Sequence, residues 1–159
     1  MAELHPSIAI LAPLLGSWVG RGSGEYPTIA PFTYTEEVSI GHTGKPFLTY
    51  SQRTRSEDGQ PLHAETGYIR MPSPGIVELV IAHPTGVAEV DEGSVAVTPA
   101  GLVLDVQSTT VTSTTSAKEV AALSRLIRVG ADQLRYTLQM AAVGLPMQHH
   151  LSATLQRQP

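Results

Sequence analysis

The histidines are the residues with which this chain could do metal chemistry, because it contains six of them and no cysteine. Without cysteine there is no disulfide, thiolate nucleophile, iron–sulfur cluster, Cys-type zinc site or covalently attached c-type haem. A metal or a haem therefore has to be bound by histidine, tyrosine, methionine or carboxylate side chains. The sequence contains no Ser/His/Asp order, H-E-x-x-H motif, P-loop or Rossmann glycine motif. It gives no support to nucleotide chemistry.

His149 and His150 are adjacent at the start of the last segment in which apolar and polar residues alternate. If this segment is a strand, one of the two imidazoles faces the interior, where it could serve as an axial ligand. Simple alternation groups His149 with Leu151, Ala153 and Leu155 and would turn His149 inward. Strand starts often carry a bulge, however, and a bulge shifts the alternation by one residue. The pattern alone leaves both histidines open.

His63 would share a strand face with Glu65, because its immediate neighbours in the sequence lie on the opposite face. Two interpretations fit that placement: a polar group inside a cavity, and a histidine at the rim that is hydrogen-bonded to Glu65. For His5 and His42 we expect hydrogen-bonded structural or surface roles, which are the common case for a lone histidine.

A glycine-rich segment, Gly16 to Gly24, surrounds the only tryptophan, Trp18. In a strand, alternate positions would place Trp18 and four of the glycines on one face, which is then almost bare. Glycine weakens strands, so such a run indicates either strong curvature at a barrel corner or the close approach of another group. We favour a corner folded around Trp18, with the indole filling the closed end of a barrel, over ligand contact.

The elements that must position these residues are mostly strands. Helical periodicity occurs only near the start, where apolar residues at positions 4, 8, 11 and 15 share a face and Pro13 ends the pattern. From Gly16 onward apolar and polar residues alternate, as in an antiparallel sheet with one buried face. No segment between the strands is long enough for the helices that parallel strands require.

Turn residues divide the rest of the chain into ten strands if Val87 to Thr98 is one long strand with a bulge at Gly93. An even number of strands closes an up-and-down barrel most simply. We therefore predict an all-β fold, a ten-stranded antiparallel up-and-down β-barrel with a short N-terminal helix, as one domain over residues 1–159. Such a barrel has room for one small ligand.

The charge balance argues against large anionic partners. Ten basic and fourteen acidic side chains give a formal charge of −4, and the isoelectric point is near 5.8, so neither nucleic acid nor an anionic membrane is an expected partner. The longest apolar run, from Ile8 to Leu15, is interrupted by Pro13, and Glu3 stands where a signal peptide would be basic. We expect a cytoplasmic protein that binds small molecules.

Several segments together resemble the nitrobindins. They are the G-x-W-x-G-x-G run at 16–22, Tyr26-Pro27-Thr28-Ile29, His63-Ala64-Glu65-Thr66-Gly67-Tyr68, and the closing Gln148-His149-His150-Leu151. The similarity extends from about Leu14 to Leu155 without a large gap. It is therefore far more specific than the G-x-W motif alone, which lipocalins and fatty-acid-binding proteins also carry.

The resemblance implies a barrel related in shape to fatty-acid-binding proteins and lipocalins, with a non-covalent haem b near its open end. The family's axial histidine lies in a Gln-x-His-Leu stretch, which corresponds to His150 in this sequence. The other haem contacts or pocket residues implied by the resemblance are Thr28, Lys118, Phe32, Leu62, His63 and Met140. The implied activity is the isomerisation of peroxynitrite to nitrate at ferric haem, together with nitric oxide binding.

Two other functions fit the pattern of the strands. An apolar barrel interior would also suit a carrier of a fatty acid or another small apolar ligand. A haem or nitric oxide sensor without catalysis would carry the same residues. The sequence is compatible with either a monomer or a homo-oligomer.

Overall fold

The computed structural model describes residues 2–159, which form a closed barrel of ten antiparallel strands preceded by a short helix. A 3₁₀ helix runs from Pro6 to Leu14. The strands are β1 (Gly16–Tyr26), β2 (Ile29–His42), β3 (Phe47–Arg55), β4 (Pro61–Ser73), β5 (Ile76–Ala82), β6 (Val87–Thr98), β7 (Gly101–Ser113), β8 (Val120–Val129), β9 (Gln133–Ala142) and β10 (Gln148–Arg157). Each strand pairs with its neighbours in sequence, and β1 closes the barrel by pairing with β10.

The predicted strand count, antiparallel order and N-terminal helix are confirmed, and Val87–Thr98 is one strand. The predicted bulge at Gly93 is wrong, because the register between β6 and β7 shifts between Val90 and Asp91. Gly93 itself pairs regularly with Val106. It is required for another reason: a Cβ atom at Gly93 would lie 1.9 Å from the carbonyl oxygen of Asp105 on β7.

The helix and Trp18 close one end of the barrel. Ile8, Leu11 and Leu14 of the helix are buried, and Trp18 has no exposed surface. The indole Nε1–H of Trp18 donates a hydrogen bond of 2.9 Å to the carbonyl oxygen of Leu14, which satisfies the one polar atom of the buried ring. The prediction that the glycine-rich strand folds around a tryptophan at the closed end is confirmed.

The connections at the opposite end frame the mouth of the barrel. They join β1 to β2, β3 to β4, β5 to β6, β7 to β8, and β9 to β10. No helix covers this end among residues 2–159. Nor does that part of the chain contain a helix long and apolar enough to cross a membrane.

Candidate functional site at the mouth of the barrel

All seven site residues predicted from the sequence lie near the mouth. Thr28 is in the β1–β2 turn, and Lys118 is in the connection between β7 and β8. The other five lie within three residues of the end of a strand at the mouth: Phe32, Leu62, His63, Met140 and His150. Residues that are far apart in the sequence thus converge on one end of the barrel.

A bulge at the start of β10 separates the roles of the two adjacent histidines. His149 pairs with Gln139 and Leu151 pairs with Leu138, so His150 is an extra residue opposite the β9 ladder. His149 is exposed, as is its partner Gln139. The bulge resets the alternation that would otherwise turn His149 inward together with Leu151.

The imidazole of His150 is held in a fixed orientation. The pairing of β1 with β10 stops at Gly24 and Leu151, so the next carbonyl of β1, that of Glu25, is available to a side chain. The Nδ1 atom of His150 donates a hydrogen bond of 2.9 Å to this oxygen. Because Nδ1 carries the proton, Nε2 has a free lone pair, which is the arrangement seen in metal-binding histidines.

The ring of Tyr26 supports His150 from the side. The two ring centroids are 5.4 Å apart and the rings meet edge to face at 76°. The Tyr26 hydroxyl accepts a hydrogen bond of 2.9 Å from the backbone N–H of Ala142. Burial lowers the pKa of His150 and outweighs the opposite effect of its hydrogen bond to Glu25. A neutral imidazole with a free Nε2 fits the axial position of a haem.

Phe32 on β2 and Met140 on β9 lie near the mouth ends of their strands, and two other predicted residues at the rim are polar. Phe32 lies over Gly24, where a Cβ atom would be only 2.3 Å from the Cζ atom of the ring. Met140 is partly buried and pairs with Gln148 at the start of β10. Thr28 and Lys118 are exposed, which suits contact with the polar edge of a bound cofactor.

The side chain of Leu62 lies on the opposite face of the strand from that of His63. It is 50% exposed, and alternation along β4 places its side chain on the face opposite His63 and Glu65. Contact between Leu62 and a bound ligand therefore stays a prediction that depends on the resemblance. His5 and His42 lie far from the mouth, near the closed end, where each makes a local hydrogen bond through Nδ1.

A polar layer lies below the mouth and across the middle of the barrel. In its first half, the Tyr136 hydroxyl donates a hydrogen bond of 2.6 Å to Oε2 of Glu36, and Gln52 Nε2 donates one of 3.1 Å to Oε1. The Tyr34 hydroxyl lies 2.9 Å from that of Tyr136. Burial raises the pKa of Glu36 to about 7, although the hydrogen bonds from Tyr136 and Gln52 act in the opposite direction.

The second half of the polar layer is centred on Arg125. Its guanidinium group donates a hydrogen bond of 2.8 Å to Glu65 and a further one to Glu89, and its Nε lies 3.4 Å from Asp91. All four side chains are buried. Burial alone would raise the pKa of Glu65, but the nearby Arg125 outweighs it and holds that pKa well below its usual range. Tyr50 donates a hydrogen bond of 2.7 Å to the same carboxylate.

Sequence reasoning missed this polar layer, although it left a signal. Glu89 and Asp91 lie at alternate positions of β6, on the same face as the buried residues Val87 and Val95. A charged residue at an apolar position of a strand indicates a paired interior charge. The alternation by itself does not show which residues such charges pair with.

The family comparison matches residues 7–157 to the family described as "THAP4-like, heme-binding beta-barrel domain". Two named relatives cover almost the whole chain. "Peroxynitrite isomerase 1" of Mycolicibacterium paratuberculosis is 57% identical over 157 residues, which are 98% of each chain. "Peroxynitrite isomerase" of Nocardia farcinica is 57% identical over 155 residues, which are 97% of this chain and 92% of the relative.

Two solved structures show how far the fold extends beyond close relatives. The crystal structure of Rv2717c from M. tuberculosis has a TM-score of 0.96 and 52% identity, covering 99% of this chain and 100% of that one. The S-type phycobiliprotein lyase CPES from Guillardia theta has a TM-score of 0.62 at 10% identity and covers 93% of this chain and 89% of that one. The second likeness concerns the fold alone.

Proposed function

The chain belongs to the nitrobindin family of THAP4-like haem-binding β-barrels, and from this membership we propose that it binds haem b at the mouth and isomerises peroxynitrite to nitrate. His150 is the proposed axial ligand. Relatives that are 57% identical over nearly the whole chain carry the name peroxynitrite isomerase. Nitric oxide is a further proposed ligand of the same site.

The observation that carries this proposal is the hydrogen bond from His150 Nδ1 to the Glu25 carbonyl oxygen at 2.9 Å. This bond selects the tautomer with an unprotonated Nε2, and the edge of Tyr26 limits rotation of the ring. An axial histidine needs both features, because its free nitrogen must point at the iron and keep that direction. His149 is exposed and lies on the regular part of the ladder. The donor set of the mouth thus fits haem through His150.

Other side chains at the mouth are the proposed apolar and polar contacts of the haem. Phe32, Met140 and Leu62 are the proposed apolar contacts, and Thr28 and Lys118 are the proposed partners of the polar edge. Because the chain has no cysteine, attachment is reversible and rests on the axial bond together with these contacts.

When bound, haem supplies a ferric Lewis acid with one coordination position open to small anions. The conversion of peroxynitrite to nitrate rearranges the same atoms, so it needs no external reductant. His63 is partly exposed at the mouth, where its imidazole can donate a hydrogen bond to an incoming anion. We further propose a cytoplasmic location, a barrel shape related to fatty-acid-binding proteins and lipocalins, and small molecules as the ligands.

The visible spectrum of protein reconstituted with haemin tests this proposal. We expect the Soret band of protein-bound haem for the wild type and for His149→Ala, and loss of that band in His150→Ala because this variant lacks the proposed ligand nitrogen. Added imidazole should restore the band in His150→Gly, which separates loss of the ligand from misfolding. A Soret band retained by His150→Ala would overturn the assignment of the ligand.

Stopped-flow measurement of peroxynitrite decay tests the activity. The reconstituted wild type should accelerate decay beyond the same concentration of free haemin and should yield nitrate. His149→Ala is the matched control and should behave as the wild type does. An equal rate for the protein and for free haemin would refute the isomerase activity while leaving haem binding intact.

A further inference from the structure

Three potential metal ligands meet just below the mouth, on residues that haem binding through His150 does not use as ligands. Nε2 of His63 lies 3.0 Å from Nδ1 of His83. Oε2 of Glu65 lies 3.7 Å from Nε2 of His63 and 3.4 Å from Nδ1 of His83. His63 and Glu65 come from the start of β4, and His83 directly follows β5. We call these three residues the His63 cluster.

The spacing of these atoms matches a single bound ion. Zinc binds imidazole nitrogen and carboxylate oxygen at about 2.0–2.2 Å, so two ligands of one tetrahedral ion lie about 3.3–3.6 Å apart. One of the three separations in the His63 cluster lies within this range, and the other two lie just outside it. Two imidazoles with one carboxylate form a donor set for borderline divalent ions such as Zn²⁺, Co²⁺ and Fe²⁺. Mg²⁺ and Ca²⁺ prefer oxygen ligands alone.

On His83 and Glu65, the atoms that would not face the ion already have hydrogen-bond partners. Nε2 of His83 donates a hydrogen bond of 2.7 Å to Oε1 of Glu89, which leaves Nδ1 unprotonated when the ring is neutral. Oε1 of Glu65 accepts hydrogen bonds from Tyr50 at 2.7 Å and from Arg125 at 2.8 Å, so Oε2 is the oxygen left toward the histidines. A carboxylate behind a histidine ligand is the usual outer shell of a metal site.

The charges around the His63 cluster are compatible with a bound cation, although the positive charge of Arg125 lies nearby. Glu65 and Glu89 both accept hydrogen bonds from the guanidinium group. Asp91 lies 3.4 Å from Nε of the same guanidinium group. The carboxylates around this guanidinium group outnumber it, so the surroundings of the two imidazoles are net negative. These surroundings therefore favour a divalent cation.

The cluster is also reachable from solvent. The side chain of His63 is 33% exposed, whereas those of His83 and Glu65 are 10% and 6% exposed. An ion can thus enter from the mouth past His63 and then be held by two more deeply buried ligands. With three protein ligands, the coordination position toward the mouth would remain open to solvent or a small anion.

We propose that His63, Glu65 and His83 form a second site, which binds one first-row divalent transition-metal ion independently of haem. The site lies below the same mouth as His150, on different strands. It requires no haem for binding, so its test is separate from that of the isomerase activity.

Titration of the haem-free full-length protein with Zn²⁺ and Co²⁺ tests this site. Calorimetry should give one Zn²⁺ per chain, and Co²⁺ should produce the visible absorption bands of a four- or five-coordinate ion with nitrogen ligands. His83→Gln keeps a side chain that can hydrogen-bond to Glu89 while it removes the ligand nitrogen. We expect it to weaken binding about 100-fold, and His63→Ala to do the same. Glu89→Gln should weaken binding about 10- to 100-fold, because it removes only the outer-shell partner.

Control variants distinguish this cluster from the other histidines. His42→Ala, His149→Ala and His150→Ala should each keep one tightly bound Co²⁺ with an unchanged spectrum. A ten-fold excess of Mg²⁺ should not displace it. Absence of Zn²⁺ and Co²⁺ binding to the wild type, or equal binding by wild type and His83→Gln, would show that His63 and His83 only share a hydrogen bond. Loss of binding in His150→Ala would assign the ion to the mouth and overturn the proposal.

Discussion

Glu36 is a single residue whose ionisation affects the stability of the whole barrel. Its side chain is 1% exposed, and burial raises its pKa to about 7 from an ordinary value of about 4.5 in the unfolded chain. Between pH 4.5 and 7 the unfolded state therefore loses this proton while the folded state keeps it. Because the folded state then binds more protons, the free energy of unfolding decreases as the pH rises through this window.

We predict that Glu36→Gln removes this dependence. A pKa difference of this size corresponds to about 3 kcal/mol between pH 4.5 and 8, so the stability of the variant relative to the wild type should rise by that amount over the same range. Urea denaturation at pH 4.5, 6 and 8 measures it. Asp91 titrates in both proteins and cancels in the difference. A difference that is constant with pH would show that Glu36 is ionised normally in the fold.

Single residues also show where sequence reasoning could not decide. The alternation of β10 alone could not separate His149 from His150, because the bulge that separates them depends on how β10 pairs with β9. Only the family resemblance favoured His150. His63 and Glu65 could be placed on one face from the pattern, whereas their meeting with His83 depends on the pairing of β4 with β5.

At the scale of the elements, strand β1 shows why glycine recurs at alternate positions. A Cβ atom on Gly20 would lie 2.1 Å from the carbonyl oxygen of Thr154 in β10, and one on Gly22 would lie 2.4 Å from the ring of Tyr34. The bare face of β1 therefore allows β10 to approach closely and allows aromatic rings from β2 to cover it. The sequence pattern predicted this crowding in general terms but could not identify the groups involved.

The position of each glycine in β1 predicts how much an alanine costs. Gly20→Ala should destabilise the barrel by about 3 kcal/mol, because the added methyl group meets backbone that cannot move without breaking the β1–β10 ladder. Gly24→Ala meets only the ends of the Phe32 and Leu151 side chains, which shift more easily than backbone, so we expect a cost of about 1 kcal/mol or less. Urea midpoints of the two variants measure this difference. Equal costs would contradict the backbone contact at Gly20.

The strand predictions held because nearly every strand buries one face, and alternation reports that face directly. The bulge at Gly93 was wrong because the same glycine signal arises when a neighbouring strand approaches closely, as β7 does here. Alternation also could not show that part of the buried face is charged. Alternation shows which face is inward, but it does not show that inward carboxylates such as Glu65 and Glu89 pair with a residue of β8.

For the molecule as a whole, the polar layer divides the barrel into two parts. Below it lies an apolar core closed by the helix and Trp18, and above it lies the mouth with His150. Inward side chains of β2, β3, β4, β6, β8 and β9 contribute to the layer. A barrel that carries fatty acids needs a continuous apolar interior, whereas a haem held by an axial histidine needs only the space near the mouth. The sequence alone could not separate these two functions.

We therefore predict that the haem-free protein binds haemin in a 1:1 ratio but does not bind a long-chain fatty acid such as oleate. Inserting the alkyl tail past the mouth would separate Arg125 from Glu65 or Glu89, and breaking a buried ion pair costs about 3–5 kcal/mol. Calorimetric titration with oleate, followed by haemin on the same sample, measures both. The haemin step shows that the protein is folded and competent. Stoichiometric binding of oleate with micromolar affinity, reversed by haemin, would contradict the prediction. Such binding would mean that the polar layer opens to admit an apolar ligand, and it would support the carrier function.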